Sequence, residues 1–269
     1  MIACNEEANL PRCLDSASFA DECVVVVDAR SSDATEEIAR ARGARVVVHA
    51  YAGNVAQKNV ALELATGDWI VALDADEALS TVLAGELRSA LAAAGDGVDG
   101  FEVNRLTWHL GRWIRHGDFH PDWQLRVFRR ARARWTGIDP HGRVSVKGAV
   151  QRLSGDLWHW SYRDLADQVQ RIQEFSRVQA RALAAEGRRV RLSDLVLRPP
   201  ARFVRAYLLK GGFRDGVPGF VVAAATAFHV FLKYAKLWEL GQGAGAEPAS
   251  GKATTSAADT SASVADTTR

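Results

Sequence analysis

The stretch Trp69-Ile70-Val71-Ala72-Leu73-Asp74-Ala75-Asp76-Glu77 decides the fold of this chain. Its first five residues are apolar, as in a buried strand, and three carboxylates follow them closely. Carboxylates packed this closely repel one another unless a cation lies between them. Mg²⁺ and Mn²⁺ prefer carboxylate oxygen and often bridge to a diphosphate. The pattern suggests a metal–nucleotide site at a strand end, although a polar turn would leave the same trace.

Residues 1–77 alternate between strand and helix patterns. Asp33 and Glu36 predict a capping box at the start of one helix, and Gly43 predicts its end. The alternation predicts an α/β fold with a mostly parallel, Rossmann-like sheet and helices on both faces. Ligands of such sheets bind beyond the carboxyl ends of the strands. The predicted strands cover 23–27, 45–48 and 68–73, and the predicted helices cover 33–43 and 54–65.

The pattern changes after a predicted helix over 80–94. Residues 98–160 are rich in Trp, His and Arg and contain short alternating segments such as 124–128. Such segments predict mixed or antiparallel strands, which we expect to form an acceptor side. Apolar residues then recur at helical spacing over 164–186, which predicts an amphipathic helix.

Residues 195–240 carry seven cations and two anions around an apolar run from Val217 to Leu232. The run is short for a membrane span, but a basic segment with aromatic residues fits helices that lie in the membrane interface. A helical hairpin packed on the catalytic domain would show the same pattern. Residues 241–269 are mostly Ala, Ser, Thr and Gly and are predicted to be disordered. The predicted divisions are a catalytic domain over 1–160, a membrane-associating region over 161–240 and the tail.

Composition bounds the function. The net charge of +2 argues against a nucleic-acid partner. Cys4, Cys13 and Cys23 match neither a zinc nor a redox spacing, which predicts small core residues in a reducing compartment. The polar residues Asn5 to Glu7 come almost at once and argue against a signal peptide. We therefore expect a cytoplasmic protein that is peripheral on the inner face of the cytoplasmic membrane.

With these patterns in place, the chain resembles family 2 glycosyltransferases of the GT-A fold. More narrowly, it resembles their branch of lipopolysaccharide core β-glucosyltransferases, from Asn5 to about Leu240. The resemblance implies inverting transfer of a hexose, expected to be glucose, from a UDP-sugar to a lipopolysaccharide-core or other lipid-linked glycan. It also implies a divalent cation, Mg²⁺ or Mn²⁺. The segments that carry it are Asn5-Glu6-Glu7, Val27-Asp28, Ser31 to Thr35, Gln57-Lys58-Asn59, Gly67 to Trp69, Asp74 to Glu77, Leu110 to His116, Pro121 to Arg129 and Phe231 to Leu240.

The resemblance assigns six residues to the nucleotide donor, and Asp74, the sixth, is described with the metal site below. Asp28 is expected to accept a hydrogen bond from the uracil ring, and Lys58 and Asn59 to lie near the base and diphosphate. Asn5 and Glu6 are expected to line the pocket. A solvated helix face would explain Lys58 nearly as well, and a helix cap would explain Asn5.

The resemblance also implies the residues that carry the chemistry. Asp76 is expected to bind the metal, with His159 as a further ligand or acceptor contact, and Asp74 to contact the ribose or a metal-bound water. The transfer needs a general base for the acceptor hydroxyl. Asp122 is the predicted base, with His116 and His120 as reserves. A turn aspartate and a packed core histidine are the structural alternatives for Asp122 and His159.

Other side chains stay open between two roles. Arg126 and Arg129 either clamp phosphate or face solvent, and Trp108, Trp113 and Trp123 either stack on sugars or pack in the core. The chain departs from the family pattern in two places. Only Met1 to Cys4 precede Asn5, which predicts a clipped central strand or a misplaced start. Gly142 stands where relatives usually carry Glu. The alternative function is a catalytically impaired, membrane-associated module that binds sugar nucleotides.

Overall fold

The computed structural model describes residues 1–137 and 142–242. The prediction that the tail is disordered concerns residues that, from 243 onward, lie outside the described part of the chain. The strands are β1 Ile2–Ala3, β2 Val24–Asp28, β3 Arg45–His49, β4 Trp69–Val71, β5 Glu77–Leu79, β6 Val98–His109, β7 Arg112–Ile114, β8 Trp123–Arg129, β9 Arg134–Thr136, β10 Arg143–Ser145 and β11 Ala149–His159. The helices are α1 Leu10–Ser16, α2 Thr35–Ala41, α3 Asn54–Leu64, α4 Thr81–Ala93, α5 Leu165–Ala185, α6 Leu192–Val196, α7 Arg198–Val204 and α8 Gly216–Gly241.

The N-terminal strands form the predicted parallel sheet, in the order β1-β2-β3. Every residue of β2 is buried, as its continuous apolar run predicts, and α1 and α2 pack on Val25 and Val27. The capping-box prediction is wrong, because α2 begins at Thr35 and the Oδ1 atom of Asp33 accepts the Thr35 N–H at 3.0 Å. Gly43 follows this helix with φ +76°, as predicted for a glycine that ends a helix.

The second sheet has six strands and is mixed, as the short alternating segments of 98–160 predict. Its order is β4-β8-β6-β11-β5, with β7 on the side of β6, and its only parallel pair in the described residues is β6 with β11. β4 was expected to join the parallel strands but pairs antiparallel with β8. An apolar run predicts a strand but does not specify which strand it pairs with.

The main core lies against this second sheet. Leu83 and Leu87 of α4 pack on Phe101, Val127 and Leu157 from three strands. Cys13 also belongs to this core, as predicted, whereas the other two cysteines are half-buried and all three are free thiols. The core therefore joins α4 to the strands that continue into the acidic rim.

β1 contains two residues and lies at the edge of the parallel sheet, where a clipped central strand was one expectation. A cavity of about 990 Å³ separates this edge from β4 and is lined by Met1, Val24 and Ile70 among others. The Met1 ammonium donates to the Val24 carbonyl oxygen at 2.8 Å, and burial lowers its pKa. The two sheets are thus joined through helices and side chains along this gap.

The C-terminal helices pack on one another and on the strands. The Lys236 ammonium of α8 donates to the Gln173 carbonyl and the Ser176 hydroxyl of α5, at 2.7 and 2.8 Å. The helical stretch Gly212–Gly241 has the length and a mean hydropathy of 1.5 that would allow a membrane span, and only 28% of its most apolar window is buried. The other positions of the apolar run are half-buried or exposed, so the described protein covers this helix only in part.

Two buried carboxylates fasten these helices to the loop before β8. Asp215 accepts hydrogen bonds from the backbone N–H groups of Arg115 and His116, at 3.0 and 2.8 Å. Asp118 forms ion pairs with Arg202 and Lys210 at 2.8 and 3.0 Å. The C-terminal helices thus fix the chain that leads into Asp122.

Candidate functional site

A cavity of about 480 Å³ at the carboxyl ends of the parallel strands collects most of the predicted site residues. The larger cavity includes fewer of the candidates, namely Lys58, Asp74 and Arg126. In the smaller one Asp28, at the end of β2, faces the carboxylates that follow β4. Asp28 and the 74–76 segment therefore open into one crevice. The predicted residues that line it are Glu6, Asp28, Lys58, Asp74, Asp76 and His159.

The carboxylate of Asp28 is held by Arg30. The Arg30 backbone N–H donates to Oδ1 at 2.9 Å, and its guanidinium donates to Oδ2 at 2.5 Å. These hydrogen bonds, the guanidinium's first, hold the pKa of Asp28 below its ordinary value. Asp28 is therefore an ionised carboxylate, and in this structure the N–H groups that donate to it belong to Arg30.

Asp74 is fixed by two cations. Lys58 Nζ lies 2.6 Å from its Oδ1 atom, and Arg126 lies 2.7 Å from its Oδ2 atom. Burial favours the neutral carboxyl, but the charges of Arg126 and Lys58 outweigh it and hold the pKa of Asp74 well below its usual range. Both oxygens of Asp74 are therefore engaged by protein, which favours a contact to ribose or water over direct metal ligation.

Arg126 is the centre of an ion-pair chain that sequence reasoning missed. Its side chain is 6% exposed, so it neither faces solvent nor reaches out to a phosphate. It bridges Asp74 to the fully buried Glu77, 2.5 Å away. Burial alone would lower the pKa of Arg126, but the two carboxylates raise it. The alternation along β8 placed Arg126 in a strand, and only the pairing with β4 reveals its partners.

The ion-pair chain continues from Glu77 to Asp122, the predicted base. Arg105 lies 3.4 Å from Glu77 and 2.8 Å from the Oδ2 atom of Asp122. The Gln124 amide donates to the other oxygen of Asp122 at 2.6 Å. Asp122 lies outside the lining of the smaller cavity, called the donor cavity below after its proposed ligand. Arg105, Glu77 and Arg126 connect Asp122 to Asp74. Asp122 and Asp74 are thus positioned by one continuous set of ion pairs.

The two reserve histidines differ in what they could still do. His120 Nε2 accepts from the Asn104 amide at 2.9 Å, so its accepting lone pair is occupied, and burial lowers the pKa of His120. His116 Nδ1 lies 3.2 Å from the buried carboxylate of Asp215, an arrangement that orients the ring and leaves the lone pair on Nε2. His120 is therefore the weakest of the three candidates, and His116 stays a reserve beside Asp122.

Asp76 and His159 form the candidate metal position. The Oδ2 atom of Asp76 lies 3.4 Å from His159 Nε2, and both side chains line the donor cavity. The Nδ1 atom of His159 also lies within hydrogen-bonding distance of the Ser161 hydroxyl oxygen, at 3.1 Å. In residues 1–137 and 142–242, no group of three or more His, Cys, Asp or Glu side chains is arranged to hold a metal. Any cation here needs ligands from a substrate as well.

Asn5 and Asn59 brace the structure beside the cavity instead of lining it. Asn5 has φ +55°, and its side-chain oxygen accepts the Ser32 N–H at 2.8 Å. The Asn59 amide exchanges two hydrogen bonds with the backbone of Trp135, at 3.0 and 3.1 Å. Glu6 does line the cavity, and burial raises its pKa. Of these three residues, which the resemblance assigned to the donor, only Glu6 therefore lines the cavity.

The remaining candidates have structural contacts. Arg129 donates to the Val98 and Gly95 carbonyls at 3.0 and 3.1 Å, outside the lining of the smaller cavity. Trp108 and Trp113 pack edge to face with centroids 5.1 Å apart, and the Arg152 guanidinium covers the Trp123 ring. A Cβ atom on Gly142 would lie 2.6 Å from a methyl group of Val55. Gly142 therefore packs closely on α3, and His141 lies outside the described residues.

Removing Arg126 should unfold the protein more readily, because the buried Glu77 would lose its closest cation and keep only the more distant Arg105 at 3.4 Å. For Arg126→Met we expect the free energy of unfolding to fall by about 3–5 kcal/mol, measured by urea denaturation. Adding Glu77→Gln should recover part of this loss. The control is Arg152→Met, which breaks the exposed pair with Glu102 and should cost less than about 1 kcal/mol. Equal losses in the two single variants would contradict the central role of Arg126.

Comparison with known proteins places this geometry in a family. The family model described as glycosyl transferase family 2 matches residues 1–154. The chain is 30% identical over 251 residues to the lipopolysaccharide core biosynthesis glycosyltransferase LpsC of Rhizobium meliloti, covering 89% of this chain and 90% of LpsC. It is 29% identical over 250 residues to an uncharacterized glycosyltransferase, RT0209, of Rickettsia typhi, covering 89% and 86% of the two chains.

A solved structure supports the same fold. The mannosyltransferase PcManGT of Pyrobaculum calidifontis, in complex with GDP-Man and Mn²⁺, superposes with a TM-score of 0.53 at 15% identity, over 88% of this chain and 86% of that one. This likeness bears on the fold alone and agrees with the GT-A architecture expected from the sequence. With the family model and the LpsC match, it leads to one conclusion: the chain belongs to glycosyl transferase family 2 and is a glycosyltransferase.

Proposed function

We propose that this enzyme moves a hexose, expected to be glucose, from a UDP-sugar to a lipopolysaccharide-core or other lipid-linked glycan, with inversion at the transferred carbon. The observation that carries the proposal is the single cavity shared by Asp28, Asp74, Asp76 and His159. The name of the relative LpsC, which includes lipopolysaccharide core biosynthesis, supports the acceptor class.

The residues present suit a divalent cation at Asp76 and His159. Their facing atoms lie 3.4 Å apart and open into the cavity, whereas both oxygens of Asp74 already face cations. Mg²⁺ and Mn²⁺ are often held by one or two protein ligands, with substrate phosphates and water completing the shell. Such a cation supplies charge neutralisation for the leaving diphosphate. The Mn²⁺ bound to PcManGT supports the same choice of metal.

Asp122 is the proposed general base. Arg105 and Gln124 each donate to one carboxylate oxygen, which holds the group in a fixed orientation. Each oxygen keeps a second lone pair, so the carboxylate can still accept the proton of an acceptor hydroxyl. Its place outside the donor cavity suits a group that acts from the acceptor side.

We further propose that the region from 161 to 240 associates with the inner face of the cytoplasmic membrane. Leu192, Leu208 and Leu209 are 75%, 54% and 80% exposed, and Val217 is 75% exposed. Arg205 and Arg214 are exposed within the same stretch. Exposed apolar side chains together with exposed arginines are typical of helices that lie in the interface of an anionic membrane.

Donor binding should depend on Asp76. We expect UDP-glucose with Mn²⁺ to raise the melting temperature of the wild-type protein, because a ligand that binds only the folded state stabilises it. Asp76→Ala should abolish the shift, whereas Asp68→Ala, on the outer surface before β4, should keep it. Differential scanning fluorimetry with a panel of nucleotide sugars measures this. A shift that persists in Asp76→Ala would contradict the metal assignment, and no shift with any donor would contradict the donor class.

Transfer should depend on Asp122 without donor affinity changing. Asp122→Asn removes the proton acceptor, and we expect the transfer rate to fall by about 10²–10⁴-fold. The Kd for UDP, measured by calorimetry, should stay within about twofold because Asp122 does not line the donor cavity. An unchanged rate would exclude Asp122 as the base. Wild-type protein that binds donor but neither transfers sugar nor slowly releases UDP would favour the catalytically impaired module.

Membrane binding should depend on the exposed leucines. We expect the protein to float with vesicles containing anionic phosphatidylglycerol more than with pure phosphatidylcholine. The double variant Leu208→Asp/Leu209→Asp should lose this binding. Val82→Asp is the matched control, because Val82 is 66% exposed on α4, far along the chain from these helices. Equal flotation of the two variants would leave the C-terminal region without the proposed role.

A further inference from the structure

Arg30 lies in the lining of the smaller cavity and binds the carboxylate that is proposed to recognise the base. Its Nε atom lies 3.1 Å from both oxygens of Asp28, and its terminal nitrogen lies 2.5 Å from Oδ2. The guanidinium also lies over the ring of Tyr51, 4.4 Å from the centroid. Arg30, Tyr51 and Asp28 all line the cavity, so this contact occupies part of the surface that a ligand of Asp28 would use.

The two partners of this ion pair differ in their freedom to move. The side chain of Asp28 is 5% exposed, whereas that of Arg30 is 66% exposed. Arg30 can therefore swing into solvent, while Asp28 cannot leave the cavity. The backbone N–H of Arg30 would still donate to Oδ1 at 2.9 Å and keep the carboxylate oriented. The pair is thus separable from one side only.

We infer that the Arg30 side chain stands in for the nucleobase of the donor and must be displaced before the base can bind. The inference rests on the proposed role of Asp28 in donor recognition. A carboxylate only accepts hydrogen bonds, so the displacing base must offer N–H groups of its own. Uracil N3–H does so, as do the adjacent N–H groups of guanine. Cytosine presents an unprotonated N3 instead, and its lone pair would face the carboxylate.

Arg30 is on this account an intramolecular competitor for the carboxylate of Asp28. Every ligand that uses Asp28 must first break a charge-assisted, two-point contact. Competition of this kind weakens the binding of all such bases alike, and the discrimination between them comes from Asp28, which a base without a matching donor cannot pair with. Removing the Arg30 side chain should therefore tighten the correct ligand through Asp28.

The test measures the Kd of UDP and of uridine by calorimetry or NMR titration. Uridine carries no phosphate, so the lost positive charge of Arg30 does not mask the effect. We expect Arg30→Ala to tighten uridine several-fold and Asp28→Asn to weaken it. In the double variant the gain from Arg30→Ala should disappear, because its carboxylate partner is gone. Arg30→Lys, which lacks the fork of the guanidinium, should lie between wild type and Arg30→Ala.

Arg40→Ala is the matched control, since Arg40 pairs with Glu36 on α2 outside the cavity lining and should leave both constants unchanged. If Arg30→Ala leaves uridine binding unchanged or weakens it while wild type binds UDP, the inference is wrong and the donor proposal stands. A gain that persists beside Asp28→Asn overturns it equally. If GDP and guanosine give the expected pattern and UDP does not bind, the inference stands and the uridine donor fails. No binding of any of these nucleotides to wild type or Arg30→Ala overturns both.

Discussion

The buried guanidinium of Arg126 is the constraint on which the arrangement of the site depends. A charge this deeply buried is tolerated only when it is paired, and Arg126 holds Asp74 on one side and Glu77 on the other. The first of these carboxylates follows β4 and the second opens β5, while Arg126 lies on β8. One side chain in the middle of β8 thus fixes the segment that joins the end of β4 to the start of β5.

The same interaction gives the clustered carboxylates different partners. Asp74 and Glu77 neutralise Arg126, which leaves Asp76 as the acidic residue of this segment that faces His159 across the cavity. Glu77 also lies near Arg105, and Arg105 orients Asp122. The repulsion expected between closely spaced carboxylates is therefore relieved largely by protein cations. A divalent ion is proposed for Asp76 and His159 alone.

Local sequence patterns predicted a good part of this molecule. The apolar run of β2, the glycine after α2 and the carboxylates at strand ends all lie as expected, because each depends on neighbours in the chain. The pairing of β4 with β8, the partners of Arg126 and the bracing roles of Asn5 and Asn59 were not predictable in this way. These depend on contacts between residues far apart in sequence, which periodicity does not encode. Arg30 was missed because an arginine in a polar turn looks like any solvated side chain.

The proposal that Asp76 and His159 bind the metal while Asp74 stays bound to protein cations is tested most directly by an anomalous difference map. The crystals would be grown with UDP and Mn²⁺. The account predicts a manganese peak within coordination distance of Asp76 and His159, with Asp74 still bound to Arg126 and Lys58. A peak coordinated directly by Asp74, with Arg126 displaced from it, would contradict the account.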